Sequence, residues 1–135
     1  MGQSQSAASD LIISPNRVVV NPSGDTEFLQ VQNIGQRKFA FKIVCVNNIE
    51  YGFVPVHGFF NPGETRVIRI NRSNEPAKTD YFQICVLEAE MEDHNAEILF
   101  GHSNYGMEQI KIYLEASSSV KEQLIASKEP PSPAP

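Results

Sequence analysis

The sequence predicts an all-β sandwich, a fold in which two sheets pack face to face. Runs of four to ten residues rich in Val, Ile, Phe and Tyr recur along the chain, and these residue types favour strands. Turn-forming residues separate the runs, and short strands with regular turns are typical of a sandwich. The 135 residues, of which 41% are hydrophobic, are enough for one domain with a buried core.

The elements are predicted in chain order, between turns rich in Gly, Pro, Asn and Asp. The strands are LIIS, RVVV, TEFLQVQN, FAFKIVCV, YGFVPV, TRVIRIN, YFQICVLE and MEQIKIYLEA. Near the C-terminus, SSVKEQLIAS is predicted as one short helix because Val120, Leu124 and Ile125 fall on one side and serines can cap it.

Composition divides the chain into three regions. Residues 1–10 are small and polar, which predicts a flexible N-terminal tail. Residues 11–117 contain all the predicted strands and are expected to form the folded domain. Residues 118–135 combine the short helix with SKEPPSPAP, whose prolines predict a flexible end.

The stretch VPVHGFFNPGETRVIRI, residues 54–70, is predicted to turn sharply before the strand TRVIRIN. Proline fixes φ and lacks a backbone donor, whereas glycine permits positive φ. The turn residues are Pro55, Gly58, Pro62 and Gly63. Phe59 and Phe60 are then expected to cover the end of the core.

Charge and hydropathy exclude several classes of protein. The net charge of −5 argues against nonspecific nucleic-acid binding, which requires clustered Lys and Arg. No apolar run approaches the roughly 18 residues of a membrane span. The start MGQSQSAASD lacks the charged and apolar regions of a secretory signal. The cytosol is therefore the expected compartment.

The two cysteines are predicted to be free thiols. Alternation along KFAFKIVCV places Cys45 on the inward face with Phe39 and Phe41. In DYFQICVLE the inward residues are Phe82, Ile84 and Val86, which leaves Cys85 on the opposite face. A disulfide between them is not expected, in keeping with a reducing compartment.

No catalytic, cofactor or metal site is predicted. His57, His94 and His102 fall in different loops or turns, and EMEDHNAE lacks the ligand spacing of a metal site. The glycines of LFGHSNYGM are scattered without a phosphate-binding pattern, which predicts a loop before the last strand. The protein is accordingly not expected to be an enzyme.

Three stretches, ISPNRVVV, TEFLQVQNIGQRKFAFKI and NNIEYGFVPVHGFFNPGETRVIRI, carry an ordered series of features. A proline lies near the start, Asn ends a strand before FKI, an aromatic precedes V-P, and Gly precedes P-G-E. The residues are Pro15, Asn33, Phe41, Lys42, Tyr51, Val54, Pro55, Gly58, Pro62, Gly63 and Glu64. This series, over about residues 11 to 115, resembles the major sperm protein domain.

The resemblance implies an immunoglobulin-like sandwich of seven strands and a role in nematode sperm. The chain is most similar to small sperm-specific proteins and to accessory proteins of major sperm protein fibres. The implied function is a non-enzymatic accessory protein of the sperm cytoskeleton that binds filaments or subunits and modulates fibre assembly in cell motility. The alternative is a soluble adaptor that binds short linear peptides on a sheet face.

By analogy with the family, three strands share one sheet whose outward face is a candidate binding surface. Alternation predicts an exposed mixture of aromatic, aliphatic and basic side chains there, which favours protein binding. The candidate residues are Lys42, Val44, Val46, Tyr81, Gln83, Lys111 and Tyr113, with Cys85 and Gln109 on the same face. Loops or the C-terminal segment could instead cover this face.

Vesicle-associated membrane-protein-associated proteins, another branch of the family, use this face to hold acidic peptides through lysines. Here the positions of those lysines hold Val44, Tyr81 and Gln109, and only Lys42 and Lys111 keep positive charge nearby. That ligand specificity is therefore not carried over.

The termini suggest two modifications. MGQSQS fits the pattern for myristoylation of Gly2, which would give weak and reversible membrane association. A disordered start that matches by chance is the alternative. Ser132 precedes Pro133 and is a candidate phosphorylation site in a proline-rich end.

Overall fold

The computed structural model describes residues 6–102 and 106–128, and the predicted all-β sandwich is confirmed. One sheet has the strand order β1-β3-β7-β5 and the other has the order β2-β9-β8-β4-β6. The strands are β1 (Leu11–Ser14), β2 (Arg17–Val20), β3 (Asp25–Asn33), β4 (Lys38–Val44), β5 (Tyr51–Val54), β6 (His57–Phe60), β7 (Thr65–Arg72), β8 (Lys78–Ala89) and β9 (Glu108–Ala116). The helices are a 3-10 turn (Ala7–Ser9), α1 (Ala96–His102) and α2 (Ser118–Lys128).

Two of the expected seven strands are each divided between the sheets. β1 lies in the four-stranded sheet, and after Pro15 the chain continues as β2 in the five-stranded sheet. β5 and β6 are related in the same way across Pro55. Proline suits such a crossing because it has no backbone N–H to donate to a sheet. Counting each divided strand once gives the seven-stranded sandwich among the described residues.

The core between the sheets consists of the inward residues of the alternating strands. The predicted inward positions Phe39, Phe41, Phe82, Ile84 and Val86 are all buried in it. Phe41 and Phe60 stack with ring centroids 4.2 Å apart and planes at 7°. The alternation in β4 and β8 therefore predicted the core correctly, because side chains of a strand point to opposite faces in turn.

The predicted turn before β7 contains a strand that the sequence did not indicate. His57–Phe60 pair with β4, so His57 lies in β6 and not in a loop. Gly63 has a positive φ of 77°, as predicted, but Gly58 does not. Gly58 is required for space instead, because a Cβ there would lie 2.8 Å from the ring of Phe41. Pairing with a neighbouring strand outweighed the local turn propensity.

Phe59 and Phe60 were both expected to cover the end of the core, and they separate. Phe60 is fully buried within the core, whereas Phe59 points to the outer face and packs under α1. Their separation follows from β6 being a strand, in which neighbouring side chains face opposite ways.

The stretch LFGHSNYGM was predicted as a loop before the last strand, but its first residues form the end of α1. Asn95 accepts a hydrogen bond from the Ile98 N–H through its side chain (3.0 Å), and Ala96 and Phe100 are buried against the sheet. Seven residues with Gly101 inside give a weak local helix signal. Tertiary packing, and not propensity, stabilises this helix.

Both ends of the domain are attached to the sandwich. Residues 6–10 were predicted as part of a flexible tail, yet Ala7 is buried and Asp10 forms a salt bridge with Arg37 (2.9 Å). The predicted C-terminal helix is confirmed as α2, and Ser117 Oγ accepts a hydrogen bond from the Val120 N–H (3.3 Å) as its cap. The tertiary contacts of the N-terminal segment were not visible in its composition.

Candidate protein-binding face

The outward face of the five-stranded sheet is built by β4, β8 and β9. Their register aligns Val44 with Gln83 and Gln83 with Lys111. Tyr81 lies opposite Tyr113. Directly opposite residues point to the same side of a sheet, so these five side chains share one surface. We call Val44, Tyr81, Gln83, Lys111 and Tyr113 the aromatic-basic patch.

The two remaining predicted residues lie at the margins of this patch. Lys42 is in the next row, opposite Cys85, and its ammonium lies 5.0 Å from the centroid of the Phe100 ring in α1. Val46 is 86% exposed but follows the end of β4, so it is not part of the sheet. The structure thus brings together five of the seven residues and places Lys42 and Val46 beside them.

Helix α1 covers the other half of the same face. Cys85 was expected on the exposed surface, but only 1% of it is accessible because α1 packs over it. The covered residues form a second, smaller cluster: Ala40, Cys85, Leu87, Ala96 and Phe100. The sequence indicates that this half of the face is covered, because Ala40 and Leu87 are apolar residues at outward positions. The face is therefore half covered and half open.

The open half has defined aromatic geometry. The rings of Tyr81 and Tyr113 meet edge to face with centroids 6.4 Å apart. The Lys111 ammonium lies 4.3 Å from the Tyr81 centroid and 5.8 Å from the Tyr113 centroid. Tyr81 is 39% exposed and Tyr113 50% exposed, so both rings present large surfaces to solvent. Such a cation-π arrangement also orients the lysine.

The patch is cationic although the chain is acidic. Among the described residues, neither Lys42 nor Lys111 takes part in a salt bridge. Arg17 lies opposite Tyr113 at the edge of the patch and pairs with Glu115 at 3.4 Å. The five patch residues include no carboxylate. A partner that contributes carboxylates and apolar side chains would complement this surface.

The thiols are on opposite sides of the sheet, as predicted. Cys45 packs against the core, and Cys85 lies in the cluster under α1. Burial raises the pKa of both thiols above the ordinary value, and for Cys45 the charge of Asp80 adds to this effect. Neither residue has the depressed pKa of a reactive cysteine.

The remaining predictions concern a metal site, a membrane span and the two candidate modification sites. Among residues 6–102 and 106–128, no group of three or more His, Cys, Asp or Glu side chains could hold a metal ion. Within the same part of the chain, no helix has the length and apolar character needed to cross a membrane. Gly2 and Ser132 lie outside the described residues.

Comparison with known families places these features in context. The sequence model of the family with the MSP (major sperm protein) domain matches residues 10–104 of this chain. The chain belongs to the MSP domain family. The resemblance seen in the ordered series of sequence features is thereby confirmed, and the family is structural and non-catalytic.

The relatives of this chain include sperm-specific proteins of a nematode. Sperm-specific class P protein 16 of Caenorhabditis elegans is 30% identical over 90 residues, which are 67% of this chain and 83% of that protein. The solved structure of SSP-19, an MSP-domain-like protein of Caenorhabditis elegans, has a TM-score of 0.73 and 25% identity, covering 78% of this chain and 98% of its own.

The fold extends to PapD-like domains. A PapD-like domain of human CEP192 superposes with a TM-score of 0.61 at 8% identity and covers 87% of this chain and 91% of its own. At this identity the likeness concerns the fold alone. The MSP-like and PapD-like immunoglobulin fold predicted from the resemblance is confirmed.

Proposed function

We propose that this MSP-domain protein is a non-enzymatic accessory protein of the nematode sperm cytoskeleton. It binds filaments or subunits of major sperm protein and modulates fibre assembly during amoeboid movement. Its place is the cytoplasm of the sperm, on the cytoskeleton of the pseudopod. The observation that carries the proposal is the exposed aromatic-basic patch on a domain whose relatives are sperm-specific.

The size and chemistry of the patch suit a reversible contact. Three strands about 4.8 Å apart, with two rows of side chains about 7 Å apart along them, give a surface of roughly 15 by 10 Å. This is less than the roughly 800 Å² that each partner buries in a standard stable interface. Tyr81 and Tyr113 supply rigid aromatic area, and aromatic side chains are enriched at the centres of interfaces. Lys111 adds a charge that directs the approach of an acidic surface.

The test is the growth rate of major sperm protein fibres in sperm extract, first depleted of this protein and then restored. The test variant carries Tyr81→Ala and Tyr113→Ala. The control variant carries Val54→Ala and Val67→Ala, because these exposed residues lie on the other sheet. We expect the natural protein and the control to change the growth rate and the test variant to have no effect. Equal effects of all three proteins would exclude the patch as the contact.

A second candidate function is favoured by Lys42 and Lys111, which take part in no salt bridge within the described part of the chain. Lys42 and Lys111 could receive the carboxylates of an acidic linear peptide, which would make the protein an adaptor. A pull-down from sperm extract separates the two candidates. Selective enrichment of filament subunits supports the accessory role, and enrichment of unrelated proteins that share a short acidic motif supports the adaptor.

Modification of the termini would refine either role. Myristoylation of Gly2 would add weak membrane association near the site of fibre assembly. Phosphorylation of Ser132 would add negative charge to the proline-rich end. The intact mass of the protein isolated from sperm tests both proposals, and an unmodified mass would exclude them in that cell.

A further inference from the structure

A lateral opening of the sandwich results from the crossing at Pro15. β1 pairs with β3 only at Gln30–Asn33, and the chain then moves to the other sheet as β2. The remainder of β3, residues 25–29, pairs with β7 on one side. On its other side, these residues have no neighbouring strand within the described part of the chain. An open strand edge of this kind can accept a further strand.

The backbone at this edge points outward. The Asn33 N–H donates to the Glu64 carbonyl, on the β7 side, so the odd-numbered residues of β3 bond in that direction. Even-numbered residues then direct their N–H and C=O groups to the β1 side, since the direction alternates in an antiparallel ladder. Beyond the end of β1, this rule directs the N–H and C=O of Phe28 to the opening. The side chain of Phe28 is itself 54% exposed.

A cleft of about 740 Å³ adjoins this edge between β2, the start of β3 and α2. Its volume falls within the usual range of roughly 300–1,000 Å³ for ligand sites. Pro15, Val19 and Ile125 line it with apolar surface, and Asp25 and Glu27 line it from β3. An added strand on the β3 edge would therefore have a neighbouring space for its side chains.

The charged side chains that line the cleft are two cations, Lys121 and Arg17, and two carboxylates, Asp25 and Glu27. Lys121 of α2 pairs with the carboxylates of both Asp25, at 3.0 Å, and Glu27. Its ammonium also donates to the Val19 carbonyl at 3.2 Å. Arg17, the other cation in the lining, pairs with Glu115. Asp25 and Glu27 thus share one lysine, which is supplied by α2.

We propose that this cleft binds an extended basic segment of a partner protein. The segment adds to β3 beyond β1, and its backbone pairs with the N–H and C=O of Phe28. A lysine or arginine of the segment occupies the position of the Lys121 ammonium beside Asp25 and Glu27, while its apolar side chains contact Val19 and Ile125. α2 gives way when Lys121 is displaced. This site is separate from the aromatic-basic patch and does not depend on the proposed function.

The test is NMR titration of the isotope-labelled full chain with a synthetic peptide, acetyl-TVKVTV-amide. The matched control peptide is acetyl-TVEVTV-amide, which differs in the sign of one charge. We expect the basic peptide to shift the amide signals of Phe28, Val19 and Lys121 and to slow hydrogen exchange of the Phe28 amide. The acidic peptide is expected to bind several-fold more weakly.

Three variants test the competition. Lys121→Met should bind the basic peptide several-fold more tightly, because the internal cation is removed while the carboxylates remain. Glu27→Gln should bind it several-fold more weakly. Lys78→Met is the control, because this exposed lysine pairs with Asp80 outside the cleft and should leave binding unchanged. Circular dichroism of each variant verifies that the sandwich is retained.

The outcomes separate this proposal from the proposed function. Absence of binding, equal binding of both peptides, or no gain in Lys121→Met would overturn the cleft proposal. Shifts confined to Tyr81, Lys111 and Tyr113 would also overturn it and would place binding on the aromatic-basic patch. Shifts at Phe28 with a tighter Lys121→Met complex would support it, whether or not the protein affects fibre growth.

Discussion

The ring of Tyr81 meets that of Tyr113 edge to face across β8 and β9, with centroids 6.4 Å apart and planes at 67°. Lys111 lies over both rings and is held closer to Tyr81, at 4.3 Å, than to Tyr113, at 5.8 Å. The three side chains therefore hold one another in place before any partner arrives. A surface ordered in this way loses less conformational entropy on binding.

The two tyrosines should be energetically coupled. Aromatic pairs of this geometry contribute about 0.5–1.5 kcal/mol beyond burial. In a double-mutant cycle of Tyr81→Ala and Tyr113→Ala, we expect a coupling near the lower end because both rings are partly exposed. The free energy of unfolding in urea is measured for the natural protein, the two single variants and the double variant. A coupling of zero would contradict the preorganised patch. If the double variant retains the urea midpoint of the natural protein, it is folded and can be used in the fibre assay.

Substitution by alanine should destabilise the protein at Gly58 but not at Gly52. A Cβ at Gly58 would lie 2.8 Å from the Phe41 ring, which is fully buried and stacked on Phe60. We therefore expect Gly58→Ala to lower the free energy of unfolding by about 1–3 kcal/mol, as overpacking does. Gly52→Ala is the control, since no atom lies within 4 Å of its added Cβ. Comparable urea midpoints for the two variants would contradict the close packing of β6 on β4.

Removal of the Lys38 ammonium should loosen α1. This buried lysine donates to the carbonyls of Met91 and Asp93 and lies 4.3 Å from the Phe59 centroid. Lys38→Met would leave two carbonyls without their donor, at a cost of about 1–3 kcal/mol. The loop before α1 should then move more freely and expose Cys85.

The rate of thiol modification measures this exposure. With an aromatic disulfide reagent, we expect Cys85 to react faster in Lys38→Met, while Cys45, on the core side of the sheet, keeps its rate. Lys78→Met serves as the control because Lys78 is exposed. An unchanged Cys85 rate would show that the ammonium does not hold α1 in place.

Attachment of α2 should depend on pH through Lys121 and Asp25. Burial disfavours the charged form of each group. The hydrogen bond between Lys121 and Asp25 opposes this effect, as do the bonds from the Asn21 and Thr26 N–H groups to Asp25 and from Lys121 to Glu27. Together these bonds outweigh the effect of burial. The pKa of Asp25 is consequently lowered from 3.8 and that of Lys121 raised from 10.5. A lowered carboxyl pKa stabilises the folded state at pH values above the ordinary pKa of the carboxyl group. A raised lysine pKa stabilises the folded state at pH values below the ordinary pKa of lysine.

The protection of α2 against hydrogen exchange is expected to be constant around neutral pH and to decrease at low and at high pH. Protection of the α2 amides against hydrogen exchange, corrected for the intrinsic rate, should fall as pH decreases through the Asp25 pKa. It should also fall as pH rises through the Lys121 pKa. Lys121→Met should flatten both limbs, whereas Glu122→Gln, at an exposed position of the same helix, should not. A profile in Lys121→Met identical to that of the natural protein would exclude this ion pair as the attachment.

The residue pattern alone predicts the sandwich and most of its core. Alternation in FAFKIVCV and YFQICVLE assigned inward and outward positions correctly, because the period of two is a local property of an extended chain. The same rule placed Tyr81, Lys111 and Tyr113 on one face once the strands were taken as neighbours. Opposite faces for the two cysteines followed from the same pattern.

Which part of that face is open depends on contacts between distant elements of the fold. α1 packs over Cys85 but leaves Tyr81 exposed, although both residues have the same parity on β8. β6 and the crossing at Pro15 likewise depend on pairing between residues far apart in the chain. Local propensity cannot report such contacts, because the free energy that selects them comes from burial and hydrogen bonding between elements that meet only in the folded protein.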